Sequence, residues 1–214
     1  SGTVADHVGL LILLPFLGKA FTIDDVTFLL QAQHVLTDPL HPTAFDMVFH
    51  GVPIRLSREL VTGPVMAYLL VPSVHLGGAE WAAHAIQIAF LIVGTVATAA
   101  LAIRLGLDRG QAALASMLVV ASPAVLGMSA TAMPDVPAMA FVAAGMERLA
   151  AWRQYRRWSA GACAALLLTL AVLSRPHVLL ALPCAALWLA GNAQDWQRPS
   201  QWLPALADRA LIPL

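Results

Sequence analysis

Residues 82–103 read AAHAIQIAFLIVGTVATAALAI, a run of 22 residues without a single Asp, Glu, Lys or Arg. At about 1.5 Å per residue, roughly 20 such residues cross the hydrocarbon core of a bilayer as a helix. Lipid offers no partners to backbone amides, so a segment this apolar must satisfy its own hydrogen bonds, and the helix does so. Working outward, the same reading applies to 112–133, with Pro123 mid-run, and to the shorter apolar stretches 136–151, 159–173 and 177–190. Proline is tolerated inside membrane helices because neighbouring groups re-satisfy the freed carbonyl. Val8–Phe21 is a further apolar run, short for a span. The fold class that follows is all-α, a polytopic transmembrane helix bundle.

Composition agrees. Of 214 residues, 59% are hydrophobic and 11% charged, against roughly 45–50% and about 25% in soluble domains. Mean hydropathy is +0.76. Twelve basic and twelve acidic side chains cancel, so no global field points to nucleic acid or to an acidic partner. Cys163 and Cys184 both sit in apolar runs, which suits packing and excludes a disulfide framework. The chain begins at Ser1, close to an apolar run, and ends soon after a polar loop. It is therefore read as the N-terminal part of a longer protein with a truncated first span, rather than as a mature chain after signal cleavage.

Residues 22–60 break the pattern. Pro39, Pro42, Gly51 and Pro53 punctuate this stretch, and it carries Asp24, Asp25, Asp38, Asp46 and Glu59. It reads as a long loop with short helices lying along the membrane surface, between the first and second spans. Residues 61–76, interrupted by Gly63-Pro64, Pro72 and His75, form an interfacial piece or a short span. Basic residues orient the bundle. One set of turns holds Arg104, Arg109, Arg148, Arg153, Arg156, Arg157, Arg198 and Arg209; the opposite set holds Lys19, Arg55, Arg58 and Arg175. Eight against four places the first set in the cytoplasm. The 22–60 loop and the turns at Asp135 and Arg175 then share the outer face.

These outer turns carry the candidate chemistry. Thr22 and Asp25 fit a capping box, and acids suit a helix's first turn. One acid suffices for that role, however, and adjacent Asp24 and Asp25 repel. A carboxylate held there can serve as general base towards a hydroxyl or amine. Asp135, in Met133-Pro134-Asp135-Val136-Pro137, reads either as an N-cap or as an acid facing the same cavity. In Ser174-Arg175-Pro176-His177, Ser174 suits the cap of the last span. Arg175, between two apolar runs, either snorkels to headgroups or binds a lipid phosphate, with His177 beside it. His34, His41, His50, His75 and His177 fall in the outer segments, but their spacing matches no compact metal signature, so no metal site is expected.

The ordered string of these features resembles a known family. It comprises the Phe21-Thr22-Ile23-Asp24-Asp25 turn, Asp38-Pro39 and His41-Pro42, Pro64, Tyr68, Leu76-Gly77-Gly78-Ala79-Glu80, Ser122-Pro123, Met133-Pro134-Asp135-Val136-Pro137, Ala160-Gly161 and Leu173-Ser174-Arg175-Pro176. The string is similar to the N-terminal half of GT-C polytopic membrane glycosyltransferases. It is nearest the bacterial branch related to protein O-mannosyltransferases and lipid A aminoarabinose transferases. The resemblance implies a polyprenyl-phosphate-linked sugar donor, an acceptor that is a lipid, glycan or protein, and inverting transfer on the outer face of a bacterial inner membrane. Asp24 matches the catalytic carboxylate. Asp25 stands where Glu is usual. Arg175 replaces a usual Lys and is implied to contact the donor phosphate, and Asp135 matches a frequently acidic position. No nucleotide-sugar motif and no cofactor is implied. A transporter or flippase fragment is the alternative from another class; it would place ionisable groups near the bilayer midplane, whereas the spans here are nearly free of them, with His84, near an end, the main exception.

Overall fold

The computed structural model describes residues 2–22, 24–49, 51–59 and 62–190. His50, Arg198 and Arg209 lie outside them. Helix dominates: α1 (Gly2–Leu13), α2 (Asp25–Val35), a hairpin of β1 (Asp46–Phe49) and β2 (Val52–Arg55), α3 (Leu56–Glu59), α4 (Val65–Leu69), α5 (Val71–His75), α6 (Glu80–Arg104), α7 (Arg109–Ala121), α8 (Pro123–Ser129), α9 (Asp135–Tyr155), α10 (Trp158–Ser174) and α11 (Ala181–Ala190). Two short 3-10 turns, Leu14–Phe16 and Pro176–Leu180, extend α1 and precede α11.

Helix α6 is the spine. It packs against α1, α7 and α9, and α9 in turn packs against α10. The contacts are close because small residues line them. A Cβ added at Gly94 of α6 would sit 3.0 Å from Met139 and 3.4 Å from the Ala140 Cα of α9. One added at Gly145 would meet Leu168 of α10 at 2.9 Å. Small residues that let backbones approach are the usual means of helix association where no water drives it. Among the described residues, α6 is the one helix that is by itself long and apolar enough to cross a bilayer.

The 112–133 run, read as one span, is broken. Ser122 is extended (φ −69, ψ 118), and α7 and α8 meet at 63°. The cause is local: the Pro123 ring disfavours helical geometry at the residue before it, then starts α8 at its first position. The 22–60 segment also differs from its reading. It carries α2 and α3, and also an antiparallel hairpin pairing Asp46 with Arg55, Met47 with Ile54, Val48 with Pro53 and Phe49 with Val52. Gly51, at φ +81, supplies the left-handed residue that a tight hairpin turn demands. Two strands alone are marginal. Here the hairpin is continuous with buried Leu56, whose amide bonds the Phe45 carbonyl.

Inside the bundle lies an ionisable group that periodicity did not single out. Asp6 of α1 accepts a 2.5 Å bond from the Thr95 hydroxyl of α6, and the Ser116 hydroxyl of α7 donates to the Thr95 carbonyl. This polar knot joins three helices.

The 62–64 segment passes so close to the end of α10 that an added Cβ at Gly63 would lie 1.6 Å from the Leu173 carbonyl oxygen, and the Gly63 amide bonds the Ser174 carbonyl. Gly63→Ala is therefore expected to displace this segment and destabilise the protein by about 1–3 kcal/mol. The expected readout is a lowered thermal midpoint of the purified full-length protein, with Gly18→Ala, which meets nothing within 4 Å, as the unaffected control.

Candidate active site

The acidic turn divides its two carboxylates between different jobs. Asp25 is 1% exposed. Its Oδ2 accepts from the Thr22 amide (2.9 Å) and the Thr22 hydroxyl (3.2 Å), and its Oδ1 accepts from the Ala132 amide (2.8 Å). This is not the capping box expected of Thr22 and Asp25, because α2 starts at Asp25 with Asp24 as its N-cap; Asp25 instead closes the turn over 22–25 and adds a long-range latch. Asp24 occupies the N-cap position of α2 but makes no side-chain cap bond. It lines a cavity of about 230 Å³, together with Phe28, Phe49, Ile54, Glu59, Thr62 and Arg175.

The apolar wall of that cavity is built by α2 and the hairpin. Phe28, Ala32 and Val35 recur at helical spacing and bury one face of α2 against Met66, Leu70 and Ala83. This packing fixes Asp24 one turn before Phe28. The hairpin contributes Phe49 and Ile54.

The far wall is the end of α10. Arg175 donates from Nη2 to Asp135 Oδ2, and its Nε is buried without a protein partner. Asp135 begins α9 and makes no cap bond; its oxygen is engaged by Arg175 instead. Ser174, read as a cap, bonds back to the Leu170 carbonyl at 2.8 Å because its side chain is buried against its own helix. Arg175 also borders a second cavity of about 340 Å³, shared with Asp135, exposed His177 and the face of α9 marked by Ala138, Val142 and Met146.

Asp24 and Arg175 therefore line one cavity, Asp135 is tied to it through Arg175, and His177 lies in the adjoining groove. Asp25 lines neither. Glu59 is a second acid of the first cavity, and in the sequence it is only one of five acids in the 22–60 loop. No sequence signal singles it out, because α3 is four residues long and its placement depends on the hairpin. Among the described residues the outer histidines do not gather. The His34 ring stacks on Phe45, and His41 bonds Asp38 at 3.0 Å. That hydrogen bond holds the Asp38 carboxyl below its ordinary value, so the contact persists into acid and is lost only as pH falls through the lowered value.

This end of the bundle brings Asp24 and Arg175 to one cavity, and Arg175 borders a second, largely apolar one. Residues 61–212 match the dolichyl-phosphate-mannose-protein mannosyltransferase family, and the chain belongs to it. Membership makes it a membrane glycosyltransferase with a polyprenyl-phosphate sugar donor. The match includes Asp135, Arg175 and His177; Asp24, Asp25 and Glu59 precede it. No curated protein matches the chain. No solved structure matches it either.

Removing the Asp25 carboxylate leaves the buried Ala132 amide unpaired, which costs about 1–3 kcal/mol. Asp25→Ala is expected to lower the thermal midpoint of the full-length protein clearly, and Asp24→Ala to leave it almost unchanged. Equal midpoints for the two variants would contradict the division of roles.

Proposed function

We propose that the protein transfers a sugar from a polyprenyl-phosphate donor to a hydroxyl or amine acceptor, with Asp24 as general base and Arg175 as the group that receives the donor phosphate. The observation that carries this reading is that Asp24 and Arg175 line the same cavity. In the reaction, the acceptor O–H or N–H gives its proton to the Asp24 carboxylate as the acceptor atom attacks the anomeric carbon. The bond from that carbon to the phosphate oxygen breaks on the opposite face, so configuration inverts. Charge develops on the departing polyprenyl phosphate, and a guanidinium stabilises it best, with paired donors in a fixed fork. Arg175 has an unpaired Nε for this purpose. Asp135 holds the guanidinium in place, His177 lies at the mouth of the groove where further phosphate contact is open to it, and Asp25 is a positioning residue that sets the backbone of the catalytic turn.

Several finer features belong to the same proposal. The helices form a multi-pass bundle, with α7–α8 as a broken span and α9 and α10 as further spans. The Asp24 end faces outside, because Arg104, Arg148, Arg153, Arg156 and Arg157 lie at the other ends of α6 and α9. In a bacterial cell this is the periplasmic face of the inner membrane. A polyprenyl tail stays in the bilayer, so its phosphate lies at headgroup depth, the depth of a helix-end arginine. The mechanism asks for no cofactor or metal.

Transfer is measured with reconstituted full-length protein, a panel of polyprenyl-phosphate sugars and an acceptor fraction from the cell envelope. Asp24→Asn keeps the shape and removes the base, and is expected to slow transfer by about 10²–10⁴-fold. Arg175→Lys keeps the charge and loses the fork, and is expected to retain part of the rate. Undiminished transfer by Asp24→Asn would remove Asp24 from the mechanism.

A further inference from the structure

The opposite end of the bundle holds a third cavity, of about 320 Å³, at the junction of α6, α9 and α10. It lies one full length of α9 from Asp135, roughly 30 Å for 21 residues. Three arginines line it, Arg104, Arg148 and Arg157, together with Tyr155 and Ser159. One acid answers them. Glu147 is 4% exposed and accepts from Nε of both Arg104 and Arg148, one on each carboxylate oxygen. Asp108, the other described acid at this end, is committed elsewhere, capping α7 by accepting from the Gln111 amide at 2.9 Å. The cluster therefore carries a surplus of two positive charges, and among the described residues exposed Arg157 makes no ion pair.

Backbone geometry adds to this. The turn from α9 to α10 is closed by Arg156 in the left-handed region (φ 54, ψ 29), with its amide on the Trp152 carbonyl. That conformation is unfavourable for a residue with a Cβ. It brings the first turn of α10 back beside Arg148. Helix α10 is 17 residues long, and its N-cap residue, Arg157, makes no side-chain cap bond. The uncapped amides of that first turn adjoin Ser159 in the cavity wall. A helix N-terminus, a hydroxyl and three guanidiniums around one cavity make a receptor for a phosphate group.

The surroundings indicate its source. Tyr155 (57% exposed) and Trp158 (64% exposed) flank the turn. The Arg104 guanidinium lies over the Tyr155 ring and that of Arg156 over Trp152. Exposed aromatics beside arginines at a helix end mark headgroup depth, and basic pockets between membrane helices on that side suit anionic headgroups. We propose that this cavity is a second phosphate site, distinct from the Asp24 cavity, that holds the phosphate of an anionic phospholipid.

The test is native mass spectrometry of full-length protein extracted from vesicles of equal phosphatidylglycerol and phosphatidylcholine. A parallel arm titrates inorganic phosphate against thermal midpoint in neutral detergent. The expected result is selective retention of phosphatidylglycerol. Arg157→Gln should lower it about fivefold, since a basic residue near a membrane surface contributes about that factor. Arg148→Gln should act in the same direction. Arg109→Gln removes the same charge at the same end but outside the cavity, and should leave retention unchanged. Stabilisation by inorganic phosphate without phosphatidylglycerol retention assigns the site to a soluble phosphate. The proposal is overturned by retention without headgroup selectivity and without phosphate stabilisation, by Arg109→Gln acting as strongly as Arg157→Gln, or by no effect of either cavity variant. The readout is bound ligand and not sugar transfer, so it stands apart from the role of Asp24.

Discussion

A buried carboxylate that meets no cation among the described residues holds the Asp24 end of the bundle together. Asp25 has two oxygens and three donors: the Thr22 amide, the Thr22 hydroxyl and the Ala132 amide. An ionised carboxylate removed from water is costly unless its lone pairs are filled, and here N–H and O–H groups fill them. One side chain thus fixes the turn before α2 and the turn after α8 at once. Gln87 of α6 reaches the next residue of that second turn, donating to the Met133 carbonyl at 2.7 Å, and Lys19 reaches the Ala130 carbonyl at 3.1 Å. Residues 130–134 are therefore held by side chains from three directions. Asp135 follows immediately, and its position decides where Arg175 is drawn.

Asp25's role in the latch leaves Asp24 uncommitted. Two adjacent acids at a helix start are redundant as caps. With the buried one committed to amides and a hydroxyl, the half-buried Asp24 lines the cavity. Arg175 shows a similar split within one side chain, with Nη2 engaged by Asp135 and Nε unpaired. Gly63 completes the arrangement by allowing the loop to lie against the end of α10 with no room for a methyl group.

The two ends of the bundle differ in electrostatic character. Around Asp24 the cavity mixes two carboxylates with one guanidinium among apolar walls. Around Arg148 three guanidiniums share one buried acid. The first arrangement mixes opposite charges, and the second leaves a net positive charge. Small-residue contacts at Gly94 and Gly145 keep α6, α9 and α10 close along the length that separates the ends.

The sequence by itself determined the helical, membrane-directed character, because apolar runs and the scarcity of charge are properties of composition and spacing. It also indicated Asp24, Asp25, Asp135 and Arg175 as residues to examine, since charge beside an apolar run is conspicuous. It showed neither the hairpin, whose four-residue strands are too short for alternation to register, nor the break at Ser122, where a proline was read as tolerated. It could not separate Asp24 from Asp25, because neighbours in a chain look alike until one is seen to meet an amide 107 residues away. Only the tertiary structure decided that, along with the place of Glu59, the engagement of Asp135 by Arg175, the knot at Asp6 and the gathering of Arg104, Arg148 and Arg157. Each is a contact between segments distant in sequence. Local patterning fixes which face of a helix is apolar, but packing against a neighbour fixes which polar atoms remain unpaired.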